Sequence, residues 1–324
     1  DNAMELSEFH IPEGHHFFAM VSKYDDYLAD IEKRQGYKAG DTLKLILPFL
    51  KAFGATDEGM KQFSREHILL VPGAKEALHE ILAIMETFII STSYEPYIDA
   101  LCDVIGFPKA RTYSTQISLD RYGMRDEERE RLIDLGKEIS VMEMIEWPED
   151  AKGLTDLSQK DRNVIQRLDA IFWKEIQTMS IGRILSEVNP VGGREKANAV
   201  LLSLERTGNS LEDVIYVGDS ITDVVAFELV RKGGGMTISF NGNRYALRSA
   251  EIACLSPHAS TLTPLADAFR KGGKEELMEI VDGWREDSGY PKVCRITDEN
   301  RSLLIQESEA FRKQVRGVAA GSLG

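Results

Sequence analysis

Val214-Ile215-Tyr216-Val217-Gly218-Asp219-Ser220-Ile221-Thr222-Asp223 reads as one strand running into one helix, with acids at the join. The apolar and β-branched run at its start fits a strand buried on both faces of a parallel sheet. Gly218 lets the backbone come close to a ligand. The strand delivers Asp219 to its carboxyl end, where open α/β sheets hold what they bind. A helix starting at Ser220 would bring Asp223, four residues on, beside Asp219. Two carboxylates on such an edge suit Mg²⁺, which takes one or two of them and completes its shell with phosphate oxygens and water. The same residues also fit a plain strand-to-helix turn with Asp219 as the N-cap.

On the amino-terminal side, Pro72-Gly73 opens a helix through Ala77, Leu78 and Ile81, and Thr87-Phe88-Ile89-Ile90 is a short apolar strand. Ser91-Thr92-Ser93 follows it, then a helix from Pro96 with Ile98, Leu101, Cys102 and Ile105 on one side. A strand pair is expected through Thr112 to Ser118 and around an Asp120–Gly123 turn. A helix runs from about Glu195 to Leu204. Met236 to Phe240 is a further strand, ended by Asn241-Gly242-Asn243. This alternation predicts an α/β fold, a Rossmann-like doubly wound parallel sheet. Two stretches stand outside it. Gly14 to Gly54 is helical in its spacing, with Phe17, Phe18, Val21, Tyr24, Leu28 and Ile31 at three- and four-residue steps. Residues 125–186 are again helical and interrupt the sheet. The division expected is therefore 5–68 as a helical cap element, 69–124 and 187–275 as the α/β core, 125–186 as a second cap element, and 276–324 as a helical end.

Two further positions carry chemistry. Ser91 can offer its O–H, and the turn through Thr92 its backbone N–H groups, to a phosphate oxygen. The plainer reading is a capping serine. In Gly192-Gly193-Arg194-Glu195-Lys196, two glycines bring the chain close to something, and Lys196 stands in the first turn of a helix. A cation there opposes the helix dipole, so it suits a phosphate or a carboxylate neighbour. An exposed lysine is the alternative, and Arg194 competes for the role.

Strand-end Ser91, helix-start Lys196, then Gly218-Asp219 with Asp223 stand in an order that resembles the haloacid dehalogenase (HAD) superfamily. Its second motif is matched by Ser91, its third by Lys196, and its fourth by Asp219 and Asp223. The Gly233-Gly234-Gly235 turn and Asn241-Gly242-Asn243 resemble the stretch after the fourth motif. Phe88 to Gly123 is similar to the phosphoserine-phosphatase-like branch. The whole chain further resembles an archaeal HAD-like group labelled in methanogens as a subunit of an energy-converting hydrogenase. The resemblance covers about residues 69–123 and 187–270. It implies a Mg²⁺-dependent phosphatase working through an aspartyl-phosphate on a small phosphorylated metabolite. Ser91, Thr92 and Lys196 would bind the phosphate, with Ser91 and Lys196 also in catalytic roles, and Asp219 and Asp223 would serve the metal. The first motif, an apolar strand ending in the nucleophilic aspartate, is not identified. Asp25-Asp26 is the only early acidic pair and sits in a helical pattern. Asp1-Asn2-Ala3-Met4 resembles the segment that follows the first motif in the archaeal group. The native first strand is therefore expected ahead of Asp1; the alternative is that Asp1 to Ala3 are non-native residues before a start at Met4. A binding or assembly subunit of the same fold, without turnover, is the second expectation and leaves room for a protein partner.

Composition narrows the field. Of 324 residues, 39 are Lys or Arg and 53 are Asp or Glu, a net charge of −14. Such a field repels phosphate backbones and anionic lipid surfaces, so neither nucleic acid nor a membrane is expected as partner. The three cysteines, Cys102, Cys254 and Cys294, have no metal-type spacing and suit a reduced, cytoplasmic setting. No run of ~20 apolar residues is present. Neither the G-x-G-x-x-G spacing of dinucleotide enzymes nor a G-x-x-x-x-G-K-[ST] loop occurs. His15 and His16 are expected at the surface or in local packing, and Trp147 and Trp173 in the core of the helical stretch 125–186.

Overall fold

The computed structural model describes residues 2–148, 150–285 and 289–316, and among these every strand lies after Phe88. Strands β1 (Ile89–Tyr94) and β2 (Thr112–Thr115) form a parallel pair. Strands β3 (Ile215–Gly218), β4 (Met236–Phe240) and β5 (Ile252–Leu255) run parallel in a second sheet, and β6 (Lys292–Arg295) closes its far edge antiparallel to β5. The protein is thus a mixed α/β fold with small parallel sheets. The register sets Ile215 opposite Met236 and Gly218 opposite Ser239. Alternate residues of β3 face opposite ways. Ile215 packs toward Leu265 and Phe269 of the helix Leu262–Asp282. Tyr216 packs toward Val200, Phe227 and Val230 of the helices Gly193–Thr207 and Val224–Lys232.

The parallel sheet expected as one layer is divided, because β1 and β3 are not hydrogen-bonded to each other. Between them lies a groove of about 260 Å³. Phe88 and Ile90 line one side and Ile215 and Val217 the other; Leu78, Ile81, Val200, Leu204, Leu262 and Ala266 from three helices complete it. The strand expected over residues 112–118 stops at Thr115, and a 3-10 turn at Leu119–Arg121 replaces its partner. There, Asp57 accepts from the N–H groups of Leu119 and Asp120 and so competes with strand pairing. The expected helical end contains a strand, β6. Its expected helix is realised as Arg301–Arg316, and residues 317–324 lie outside the described residues.

The two helical stretches are one body. Leu6, Phe17, Tyr24, Leu28 and Phe49 share a buried core with Leu132, Ile139, Leu168, Phe172 and Ile184, and Trp147 and Trp173 pack against it. Each large side chain there contributes about 1.5–3 kcal/mol by leaving water. This helical lobe sits over the carboxyl ends of β1 and β3. A Cβ on Gly40 would lie 3.1 Å from Thr222 Cγ2 and 3.2 Å from Thr92 Cγ2. Lys38 Nζ pairs with Glu195 at 2.6 Å and donates to Pro190 O at 2.8 Å, fixing the lobe to the start of the helix Gly193–Thr207. No helix among the described residues is long and apolar enough to cross a membrane.

Candidate active site

Serine and threonine occupy the end of β1 itself rather than the turn after it, since the strand runs on to Tyr94. Its pairing with β2 is irregular between Ile90 and Tyr94, and the N–H of Ser93 turns back to Ser91 Oγ at 3.2 Å. Thr115 stabilises this bend. Its Oγ1 donates to Thr92 O at 2.6 Å and accepts from the N–H of Val191 at 3.0 Å. The loop that leads to Lys196 is thereby tied to the end of β1.

Lys196 is 7% exposed, so the exposed-lysine alternative fails. Arg194, two residues earlier, faces solvent. The Lys196 ammonium is 2.8 Å from Asp223 Oδ1, an ion pair that offsets its unfavourable place at a helix amino end. Asp223, 3% exposed, is heavily used. Its Oδ1 also accepts from Tyr216 O–H at 2.8 Å, and its Oδ2 accepts from the N–H groups of Asp219 and Ser220 at 3.0 and 3.1 Å. Burial and the Asp223 charge push the Tyr216 hydroxyl well above the usual tyrosine range, so it stays a neutral donor. Asp223 holds the lysine and the backbone that carries Asp219. It does so from a 3-10 turn at Ile221–Asp223, ahead of the helix expected to begin at Ser220.

Two glycines answer to the protein rather than to a ligand. A Cβ on Gly218 would lie 2.5 Å from Asp223 Cγ, so it is the carboxylate that needs the space. A Cβ on Gly192 would lie 2.1 Å from Ala39 O, which makes the partner of that close approach the helical lobe. Gly218→Ala is expected to displace Asp223 and to cost about 1–3 kcal/mol, the range for overpacking. Urea denaturation with a change below about 0.5 kcal/mol would contradict the steric account.

Asp219 stands at the cavity, its side chain 31% exposed. A residue that sequence reasoning missed reaches it. Arg312, 2% exposed, donates from one guanidinium nitrogen to Asp219 Oδ2 at 2.9 Å, Asp219 O at 3.3 Å and Asn241 O at 2.7 Å. The Asn241-Gly242-Asn243 turn frames this contact. Asn243 donates its N–H to Asp219 O at 2.9 Å and caps the helix Arg244–Ser249 through Tyr245 and Ala246.

Ser91, Thr92, Lys196, Asp219 and Asp223 all line one cavity of about 260 Å³, together with Ser93, Gly218, Ser220 and Thr222. Hydroxyls and an ammonium in one cavity with a carboxylate can bind an oxyanion beside a cation. Among the described residues no group of three or more His, Cys, Asp or Glu side chains could hold a metal by itself. An ion here would therefore complete its shell from solvent and substrate.

A smaller cavity of about 130 Å³ adjoins the first through Thr92, Ser93, Ser220 and Thr222, and the lobe side is lined by Ser22, Asp25, Asp26 and Thr42. Burial pushes the Asp25 carboxyl up to about 6, against the lowering hydrogen bond from Tyr37. Burial and then the Asp25 charge push Asp26 up to about 8. The native state thus keeps protons that the unfolded chain releases near 3.8. The stability they lend is complete below 3.8, falls as pH rises, and is gone above about 8. Wild-type Tm is expected to fall between about pH 5 and 8 and Asp26→Asn to flatten that fall. A wild-type Tm that rises over this range would overturn the assignment.

No protein-family model matches the chain, and no curated protein does. Among solved structures, gene product AF1437 from Archaeoglobus fulgidus is similar, at 28% identity and a TM-score of 0.85, over 100% of this chain and 94% of that one.

Proposed function

We propose that the protein is a Mg²⁺-dependent phosphohydrolase of HAD type, acting on a small phosphorylated metabolite. The observation that carries this is the convergence of Ser91, Thr92, Lys196, Asp219 and Asp223, scattered over more than a hundred residues of sequence, on one cavity at the ends of β1 and β3. In this reading the Ser91 hydroxyl and the N–H groups beside it bind phosphoryl oxygens. Lys196 neutralises them while Asp223 fixes its ammonium. Asp219 is the carboxylate that would meet the ion directly, and Asp223, its oxygens already engaged, supports it through the Asp219 backbone. One direct carboxylate is within what Mg²⁺ accepts. The bound ion supplies charge neutralisation at the phosphoryl group. The helical lobe roofs the cavity and limits the size of the group that can be attached to the phosphate.

The groove between β1 and β3 adds support. Helices flank it, strand edges border it, and it opens at its carboxyl end on the phosphate cavity, which suits the first-motif strand and nucleophile that the HAD resemblance calls for. A doubly wound sheet would then run from β2 through that strand to β5. The second reading, a phosphate-binding or assembly subunit without turnover, draws on Asp219 and Asp223 being engaged inside the protein by Arg312 and Lys196.

The test is hydrolysis of p-nitrophenyl phosphate by the natural polypeptide purified from its host. Mg²⁺-dependent release of p-nitrophenol, abolished by chelation, is the expected result. Binding of inorganic phosphate with no hydrolysis under any metal condition would favour the second reading.

A further inference from the structure

Asp26 ends the helix Gly14–Asp26 of the lobe, is 6% exposed, and lines the cavity of about 130 Å³ that adjoins the phosphate cavity. Among the described residues it makes no hydrogen bond and no ion pair. Its neighbour Asp25 is occupied: one oxygen accepts from Tyr37 O–H at 2.6 Å and the other from the N–H of Gly40 at 2.9 Å. The charges that act on Asp26 from a distance are Asp25, Lys23, Asp30 and Arg244. Both cations are engaged elsewhere. The Lys23 ammonium lies 4.1 Å from the centre of the Trp147 ring, and Arg244 pairs with Glu309 at 3.0 Å. Burial disfavours the charged form of such a carboxyl, and a second carboxyl beside it disfavours it further. A proton removes that penalty, and so does a cation that brings hydrogen-bond donors.

We propose that this cavity receives an ammonium group of the substrate with Asp26 as its counter-charge, so that the phosphorylated metabolite is a phosphate ester of a short amino alcohol. This rests on the reading of the adjoining cavity as the phosphate site. The two cavities share Thr92, Ser93, Ser220 and Thr222, so one small molecule can present its phosphate to Lys196 and its other end to Asp26. A cation stands at one end of this path and an unpaired acid at the other, the polarity that a phosphate ester with an ammonium tail requires. An ammonium brings three donors with its charge. One carboxylate and the hydroxyls of Ser22 and Thr42 can accept them, while Phe18 and Leu43 cover the methylenes. The lobe cavity has half the volume of the phosphate cavity, about 130 against about 260 Å³, which restricts the tail to a short one. A bare metal ion is served less well there, since among the described residues no group of three acids, histidines or cysteines could hold one.

The test is isothermal titration of two phosphonates into the natural polypeptide with MgCl₂ present. Aminopropylphosphonate ends in an ammonium and hydroxypropylphosphonate in a hydroxyl, and the C–P bond of each resists hydrolysis, so binding is read without turnover. Wild type is expected to bind the amino compound tenfold or more tighter, about the scale of a hydrogen-bonded charge. Asp26→Asn should bind the two alike. Wild type that binds both alike, or prefers the hydroxyl, overturns the proposal and leaves the phosphate reading standing. A preference for the ammonium that survives in Asp26→Asn overturns the role given to Asp26. Wild type that binds neither compound overturns the phosphate reading and the proposal together. If circular dichroism finds Asp26→Asn unfolded, Asp26→Ser takes its place with the same outcomes.

Discussion

Lys196→Met is expected to destabilise the protein by about 3–5 kcal/mol, because it leaves a buried carboxylate without its counter-charge. Asp223 is 3% exposed and would keep only the neutral donors Tyr216 and two backbone N–H groups. Phosphate affinity should fall with it, and any hydrolysis should drop by about 10²–10³, the scale for losing one charge-stabilising donor. Urea denaturation gives the first quantity and titration with inorganic phosphate the second. Lys196→Met combined with Asp223→Asn should recover part of the stability, since removing both charges of a buried pair is far less costly than removing one. A single variant within about 1 kcal/mol of wild type would mean that water reaches the pair and that Asp223 does not depend on the lysine.

Asp219→Asn should abolish the Mg²⁺ dependence of hydrolysis and lower its rate by about 10²–10³, with the shape of the residue preserved. Asn retains an oxygen for Arg312, so the 2.9 Å contact survives as a neutral-acceptor bond and the fold should stay intact by circular dichroism. Full Mg²⁺-dependent activity in this variant would sink the assignment of the metal carboxylate. The two variants separate the roles at the cavity: loss of Lys196 removes the charge that meets the oxyanion, and loss of Asp219 removes the charge that meets the cation.

Much of the frame is legible in the residues themselves. Ile215–Gly218 carries a continuous apolar, β-branched run, Met236–Phe240 alternates Met, Ile and Phe with Thr and Ser, and both are strands. Ile252–Leu255 is not legible, because Ile-Ala-Cys-Leu suits a buried helix as well as a strand. Lys292–Arg295 has only two apolar residues between two basic ones, too short a run to stand out on a sheet edge. The site divides in the same way. Ser91, Lys196, Asp219 and Asp223 are marked by their positions at strand and helix ends. Tyr216 could have been found, since period-two spacing puts it on the face of Gly218, where Asp223 packs. Arg312 carries no local sign: it is one basic residue among several on an amphipathic helix, and only the tertiary fold brings it 93 positions back to Asp219. The glycines mislead for a related reason. Spacing reveals that something comes close to Gly192 and Gly218, and only packing reveals that it is Ala39 and Asp223.

The common core of the lobe has a consequence for how the chain is made. Phe17, Tyr24 and Phe49 find partners such as Leu132, Leu168 and Phe172 only after residues 125–186 have left the ribosome. The amino-terminal helices must then wait, apolar faces uncovered, while the whole intervening stretch is synthesised, a long-range dependence that slows folding and invites aggregation. Nor can the intervening helices be excised as a module. A deletion of 125–186 would strip Phe172 from Tyr24 and Phe49 and uncover that side of their core, so a minimal version of this protein has to retain both stretches or neither.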